Sequence, residues 1–157
     1  MGYCFAADRT LGKLAKWLRI LGFDTIFESD ISSKAFYEHL EKDRVLLTRT
    51  TKIRDRYDVK RLVFIEADNV CEQLRQVLGE LAITHKDIRV FSICLHCNSP
   101  IVGVNKQVIF GRVPDYIWET HDEFSTCRLC ERIYWSGSHM ERILEVIERL
   151  FKMNIEE

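Results

Sequence analysis

Four of the six cysteines form two matched pairs with the spacing of metal-binding turns, Cys94-Leu95-His96-Cys97 and Cys127-Arg128-Leu129-Cys130. In a Cys-x-x-Cys turn, both thiolates can point at one tetrahedral ion at about 2.3 Å. Two such turns supply four thiolates and leave no open coordination position, so the sequence predicts a structural zinc site. The two pairs are separated by 29 residues. This exceeds the roughly 15–20 residues usual for such a pattern and predicts a zinc ribbon with an insertion.

Other uses of paired cysteines are disulfides, a redox pair and an iron–sulfur cluster. Two matched pairs favour zinc, while four thiolates also suit an iron–sulfur cluster, which stays the alternative. Cys4 and Cys71 lie in apolar contexts and are expected to be buried free thiols. The first residues lack a basic region followed by a long apolar stretch, so we expect a reducing, cytoplasmic location.

Three aspartates stand at or near the ends of predicted strands: Asp8, Asp30 and Asp68. In an open parallel sheet, sites form beyond the carboxyl ends of the strands, so these side chains are expected to converge. Clustered carboxylates repel each other unless a hard cation such as Mg²⁺ or Mn²⁺ neutralises them. The pattern suggests metal-dependent hydrolysis of phosphodiesters. The alternative is that these aspartates are helix caps or turn residues, as Asp68 could be before a helix.

Basic residues surround the first of these aspartates. Arg9 follows it directly, and Lys13, Lys16 and Arg19 recur at a spacing of three along the first predicted helix. Arg49 follows the third predicted strand. Cationic side chains around an acidic floor suit a polyanion such as RNA. A solvated helix face is the alternative for the same spacing.

Strands alternate with helices along the first part of the chain. Strands are predicted at 3–7, 25–27, 44–48 and 62–65, and helices at 10–21, from Ser32 or Ser33 to 41, and from Asp68 or Asn69 to about 81. Thr10 is expected to cap the first helix, and Gly22 to end it. This alternation predicts an α/β fold, a parallel sheet covered by helices.

The pattern changes after about residue 90. The ribbon is predicted to contain two strands, Ile101–Val104 and Gln107–Phe110. A last helix over 138–152 carries an apolar stripe that includes Leu144. We therefore divide the chain into an α/β domain (1–90), a zinc ribbon (91–137) and a C-terminal helix (138–157) that packs back on the body. Tyr134 and Trp135 could contact RNA or pack the ribbon against the body.

Composition limits the class of protein. The chain has 157 residues, 46% of them apolar, with 23 basic and 24 acidic residues and a net charge of −1. Such a chain forms one domain or one domain with an appendage. No apolar run approaches the roughly 18 residues that a membrane span needs, so no membrane partner is expected.

Several long motifs together resemble the Mut-seven C-terminal RNase domain. Residues 8–25, DRTLGKLAKWLRILGFDT, resemble its opening motif, and residues 44–49, RVLLTR, resemble its next one. The ribbon and tail motifs are Cys94-x-x-Cys97-Asn98, Val113-Pro114, Phe124, Cys127-x-x-Cys130 and residues 133–139, IYWSGSH. The resemblance covers nearly the whole chain.

This resemblance implies a PIN-like fold and divalent-metal-dependent RNase activity. Asp8 and Asp30 would be metal carboxylates, and Asp68 a weaker candidate. The family usually has aspartate after Leu-Thr-Arg, where this chain has Thr50. A hydroxyl is a poor replacement for a carboxylate on Mg²⁺ or Mn²⁺, so activity could be weakened. Two functions follow: a metal-dependent ribonuclease, or a catalytically degenerate module that binds RNA or a ribonucleoprotein.

Overall fold

The computed structural model describes residues 2–40, 43–56 and 61–155. The chain forms two compact units, Met1–Asn98 and Ser99–Glu157. The predicted end of the second helix, at residue 41, lies outside the described residues. The predicted domain boundaries after residues 90 and 137 stay a prediction, as does the packing of the last helix on the body.

Four parallel strands form the sheet of the first unit, in the order β2-β1-β3-β4. The strands are β1 (Phe5–Ala7), β2 (Thr25–Phe27), β3 (Val45–Thr48) and β4 (Leu62–Phe64). All residues of β1 and β3 are buried. Central strands of a parallel sheet are covered on both faces, which explains why these segments are almost continuously apolar. The predicted parallel sheet is confirmed.

Helices connect and cover these strands. They are α1 (Gly12–Ile20), α2 (Ser33–Leu40), α3 (Thr51–Arg56) and α4 (Val70–Glu80). Phe36 and Leu40 of α2 form a core cluster with Ala6 and Leu46 of the sheet. Helix α1 packs against β2 and α4. The sequence did not predict α3, which is separated from the end of the third strand by two residues.

The starts of α1 and α4 test the predicted helix caps. Thr10 is not the N-cap of α1, because the helix begins after Leu11, which makes no side-chain capping bond. For α4, Asn69 rather than Asp68 is the cap, and its side chain accepts a hydrogen bond from the Glu72 N–H.

Gly22 ends α1 as predicted, and its φ of +92° lies in the left-handed region. A Cβ at this position would lie 2.3 Å from the carbonyl oxygen of Arg89. The same segment donates backbone hydrogen bonds from Arg89 to Leu21 and from Phe91 to Ile20. Only glycine allows this close approach of two backbones.

The second unit contains an antiparallel sheet of three strands, β5 (Ile101–Val104), β6 (Phe124–Cys127) and β7 (Ile133–Trp135). The predicted strand Gln107–Phe110 is wrong: residues Lys106–Ile109 form a 3₁₀ turn. The Asn105 side chain caps this turn by accepting from the Gln107 N–H. Helix α5 (Asp115–Thr120) follows, so the predicted insertion in the ribbon is a compact helical segment.

The insertion supplies three of the four residues of a buried cluster in this unit. Ile109, Val113, Ile117 and Phe124 form a buried cluster, and Trp135 packs against it. Helix α6 (Ser138–Ile155) completes the unit and buries Ile147, Leu150 and Phe151, whereas Leu144 from the predicted stripe is 42% exposed. Within the described residues, no helix has the length and apolar character to span a bilayer.

Candidate functional site

The four paired cysteines come together. Their sulfur atoms lie within 4.8 Å of one another, and Cys94 and Cys127 are buried. Four sulfurs bound to one tetrahedral Zn²⁺ at about 2.3 Å are about 3.8 Å apart, so a small adjustment brings this cluster to the geometry of a bound ion. The residues fit a structural zinc site.

The two cysteine turns have the same backbone geometry. The N–H of Asn98 donates to the Cys94 carbonyl at 3.0 Å, and the N–H of Glu131 donates to the Cys127 carbonyl at 2.8 Å. Each of these donors follows the second cysteine of its pair and has a φ near +60° (57° for Asn98 and 61° for Glu131). Two identical turns present four thiols to one point, as a four-thiolate metal site requires.

The other two cysteines are not both buried as predicted. Cys4 is half-buried, and Cys71, in the first turn of α4, is exposed. Burial raises the pKa of the Cys4 thiol, and the negative charge of Asp24 adds to this effect against the opposing charge of Arg44. A raised thiol pKa makes a cysteine less reactive, since the thiolate is the nucleophile.

A second candidate site lies at the carboxyl edge of the parallel sheet, where the strand order reverses between β1 and β3. Such a switch point is where open α/β sheets bind ligands. Asp8 directly follows β1 at this point and is 1% exposed. Among the described residues, no side-chain nitrogen of a lysine or arginine lies within 4.0 Å of its carboxylate.

Four hydrogen bonds hold the Asp8 carboxylate. Oδ1 accepts from the N–H and the hydroxyl of Thr10, and Oδ2 accepts from the Thr48 hydroxyl and from the Arg49 N–H at 3.2 Å. The bond to the Thr10 N–H makes Asp8 an Asx-turn residue, which agrees with the alternative prediction that the strand-end aspartates are turn residues. The two backbone donors are fixed, whereas the two hydroxyls can rotate. A cation could therefore take one acceptor site on each oxygen.

Thr50 extends this network instead of adding a charge to it. Its N–H donates to the Thr48 hydroxyl oxygen at 3.0 Å, and its own hydroxyl lies 3.1 Å from the same atom. The position for which the sequence resemblance predicts a carboxylate is thus occupied by a hydroxyl bonded to Thr48. Thr50 adds no negative charge to this edge.

The other predicted aspartates each pair with an arginine. Asp30 ends a 3₁₀ turn after β2, and its Oδ2 lies 3.1 Å from Arg19 Nη2. The Asp68 side chain is 93% exposed, and its Oδ1 lies 2.6 Å from Arg49 Nη2. In the part of the chain that the structure describes, the four cysteines are the one group of three or more side chains placed to share an ion.

Glu28 is a carboxylate that the sequence analysis missed. It is buried and directly follows β2, and the pairing of Ala7 with Phe27 places it beside Asp8 at the sheet edge. Its Oε2 accepts from the Arg9 N–H at 2.8 Å, and its Oε1 lies 3.8 Å from the Arg9 guanidinium. The sequence feature that could have identified Glu28 is its position directly after a predicted strand, because parallel strands bring such positions to the same edge of the sheet.

The predicted basic residues differ in their surroundings. Arg9, Lys13 and Lys16 are exposed, but Arg19 is buried and does not extend an exposed stripe. Each step of three residues rotates a helical position by about 60° relative to the preceding one, so the third member of the series reaches the flank of the apolar face. Arg19 donates to the carbonyls of Thr25 and Leu95 as well as to Asp30.

Asp24 lies at the centre of a polar cluster next to the first cysteine turn. Its Oδ1 accepts from Arg44 Nη1 at 2.8 Å and from Asn98 Nδ2 at 2.7 Å. Burial alone would raise the pKa of Asp24, but these two hydrogen bonds and the charge of Arg44 outweigh it and hold the pKa below its usual range. Asn98 also accepts from the Thr25 N–H, so it fixes the cysteine turn to the start of β2.

Comparison with known protein families identifies the class of this molecule. The profile of the Mut7-C RNAse domain matches residues 3–147, and the chain belongs to this family. The resemblance stated from the sequence motifs is therefore confirmed. Comparison with curated proteins and comparison with solved structures gave no significant match.

Proposed function

We propose that the protein is a divalent-metal-dependent ribonuclease that acts at the carboxyl edge of its parallel sheet. The observation that carries this proposal is the match of nearly the whole chain to an RNAse domain family. The buried Asp8 supports it, since a carboxylate at a switch point with two rotatable hydroxyl partners can accept a hard cation.

Each residue has a proposed part in this reaction. Asp8 and Asp30 would hold Mg²⁺ or Mn²⁺, with Asp68 as a more distant acid. When bound, such an ion lowers the pKa of a water and offsets charge on the phosphate. The exposed cations Arg9, Lys13 and Lys16 would bind the RNA backbone, and phosphate contacts of this kind orient a substrate without reading its sequence. We also propose Arg49 as an RNA-binding residue. To bind a phosphate group, its guanidinium would have to leave the ion pair with Asp68.

The experiment is a single-turnover cleavage assay on labelled single-stranded and structured RNA, with Mn²⁺ and with a chelator. We expect cleavage by the wild type only with the ion. The Asp8→Asn variant should lose at least about 100-fold in rate, because it loses the anionic ligand. Its thermal unfolding is the control for folding. Cleavage that persists in chelator, or that Asp8→Asn leaves unchanged, contradicts the proposal.

A second candidate function is binding of RNA without cleavage. The observation that favours it is the hydroxyl of Thr50, bonded to Thr48 where the family usually has a carboxylate. The variant Thr50→Asp separates the two functions. An inactive wild type with an active Thr50→Asp variant supports a binding module, whereas similar metal-dependent rates for both proteins contradict it.

A further inference from the structure

Arg19 is a buried cation with three different partners. Its Nε donates to the Thr25 carbonyl at 3.0 Å, its Nη1 to the Leu95 carbonyl at 2.7 Å and its Nη2 to Asp30 Oδ2 at 3.1 Å. The side chain is 7% exposed. A buried guanidinium that loses a partner is costly, because its charge is left without compensation. A shift of any one of these three partners therefore affects the hydrogen bonds of the guanidinium to the other two.

One of these partners lies inside the first cysteine turn. Leu95 stands between Cys94 and Cys97, and Asn98 closes the turn by donating to the Cys94 carbonyl. A metal ion held by both cysteines fixes the backbone between them, so the direction of the Leu95 carbonyl depends on whether the thiols are bound. The contact between the Leu95 carbonyl and the Arg19 guanidinium extends this dependence to helix α1.

Another partner lies at the acidic edge. The Asp30 side chain is 46% exposed, and within the described residues Arg19 is its cationic partner. A half-exposed carboxylate with one strong bond takes its orientation from that bond. The planar fork of arginine can set two directions at once, here toward the Leu95 carbonyl and toward the Asp30 carboxylate.

We propose that Arg19 is a positioning residue that couples metal binding at the four cysteines to the orientation of Asp30. A loaded cysteine cluster fixes Leu95, Leu95 fixes the guanidinium, and the guanidinium holds Asp30. The consequence for cleavage rests on the proposed function, since it requires Asp30 to serve at the acidic edge. The coupling itself does not, and it is reciprocal: a change at Asp30 must alter metal retention at the cysteines.

The test measures the rate at which the zinc-loaded protein releases zinc to a chromogenic chelator. Arg19→Met should release zinc about tenfold faster than the wild type, as loss of a supporting contact does in other metal sites. Arg19→Lys keeps the positive charge but loses the planar guanidinium, and this variant should release zinc at an intermediate rate. Asp30→Asn should accelerate release about fivefold, at the low end of typical coupling.

Two matched controls separate coupling from a general loss of stability. Arg9→Met removes an arginine paired with another acid of the same edge, and Asp68→Asn removes an acid paired with another arginine. Both should release zinc at the wild-type rate. Because Arg19→Met could fail to fold, the half-exposed Asp30 carries the decisive comparison. Equal release rates for Asp30→Asn and Asp68→Asn overturn the proposal.

A double-variant cycle excludes a merely structural role. If the coupling passes through Arg19, Asp30→Asn should have no further effect on zinc release in the Arg19→Met background. Two independent structural defects would instead multiply, and that result overturns the proposal. Cleavage is measured in parallel: a wild type without activity contradicts the proposed function, while the release rates still decide the coupling.

Discussion

The hydroxyl of Thr48 decides how the Asp8 carboxylate is held. It has one hydrogen, which it donates to Asp8 Oδ2. The hydroxyl of Thr50 must therefore be the donor in its contact with Thr48, and the Thr50 N–H donates to the same oxygen. This chain of donors runs toward the carboxylate, which forms no ion pair with a lysine or arginine side chain in the described part of the chain.

We predict that Thr48→Val lowers the free energy of unfolding by about 1–3 kcal/mol, because Asp8 loses a donor and two Thr50 donors lose their acceptor. The shape of the side chain is preserved, so the effect reports the hydrogen bonds. Urea denaturation of both variants provides the measurement. Thr48→Ser keeps the hydroxyl and should stay near the wild type. Equal stability of the valine and serine variants would show that the network does not hold Asp8.

Asp24 predicts a dependence of stability on pH. Its pKa in the folded protein lies below the ordinary carboxyl value of 3.8, so the ionised form favours the folded state. The stabilisation by ionised Asp24 is complete at a pH above the ordinary pKa, and it is lost as the pH falls through the lower pKa of the folded protein. Asp24→Asn removes it. The difference in unfolding free energy between wild type and variant should therefore shrink from pH 6 toward pH 3, and a constant difference would contradict this origin.

At the scale of elements, the central strands were predictable and the insertion was not. Segments 45–47 and 3–7 are continuously apolar, and this pattern is typical of strands buried on both faces. Gln107–Phe110 has the same apolar character, yet Val108 and Phe110 are exposed and only Ile109 enters the core. A three-residue apolar run fits a strand or a turn equally well, and tertiary packing decides between them.

Some residues of the candidate sites could be predicted from the sequence, and others could not. The cysteine cluster follows from spacing, since a Cys-x-x-Cys turn is a local structure that needs little of the fold. Asp8 was identified as an edge residue from its place after a strand. Glu28 and the burial of Arg19 depend on strand register and on the position of residue 95, which no local pattern contains.

Gly22 provides a test of the close approach at the end of α1. We predict that Gly22→Ala lowers the free energy of unfolding by more than the roughly 1–3 kcal/mol that a strained left-handed residue costs, because its Cβ also meets the Arg89 carbonyl. The matched control is Gly111→Ala, which has a φ of +80° but no atom within 4 Å of an added Cβ. Thermal or urea unfolding measures both. Equal losses would show that backbone conformation alone matters at Gly22.

For the whole molecule, metal binding and folding are expected to be linked. The four cysteines come from segments far apart in the sequence, and an ion that binds only the assembled cluster stabilises the folded chain. Cys127→Ser should lower both the zinc content and the melting temperature. The exposed Cys71, outside the cluster, gives the control Cys71→Ser.

Elemental analysis and thermal unfolding measure this prediction. We expect about one zinc per chain in the wild type and in Cys71→Ser, and a loss in Cys127→Ser, since three remaining thiolates leave the tetrahedral site open. Iron and inorganic sulfide in the purified wild type would instead support the iron–sulfur alternative. Equal metal content and melting temperature in both variants would contradict a structural role for the cluster.

The central claim is that RNA cleavage uses a cation held at the carboxyl edge of the parallel sheet by Asp8. Crystals soaked in Mn²⁺ and measured for anomalous scattering test it most directly. We predict an anomalous peak about 2.2 Å from an Asp8 carboxylate oxygen, with the Thr10 or Thr48 hydroxyl turned away from that oxygen. The absence of a peak beside Asp8, at a Mn²⁺ concentration that supports cleavage in solution, would contradict the claim.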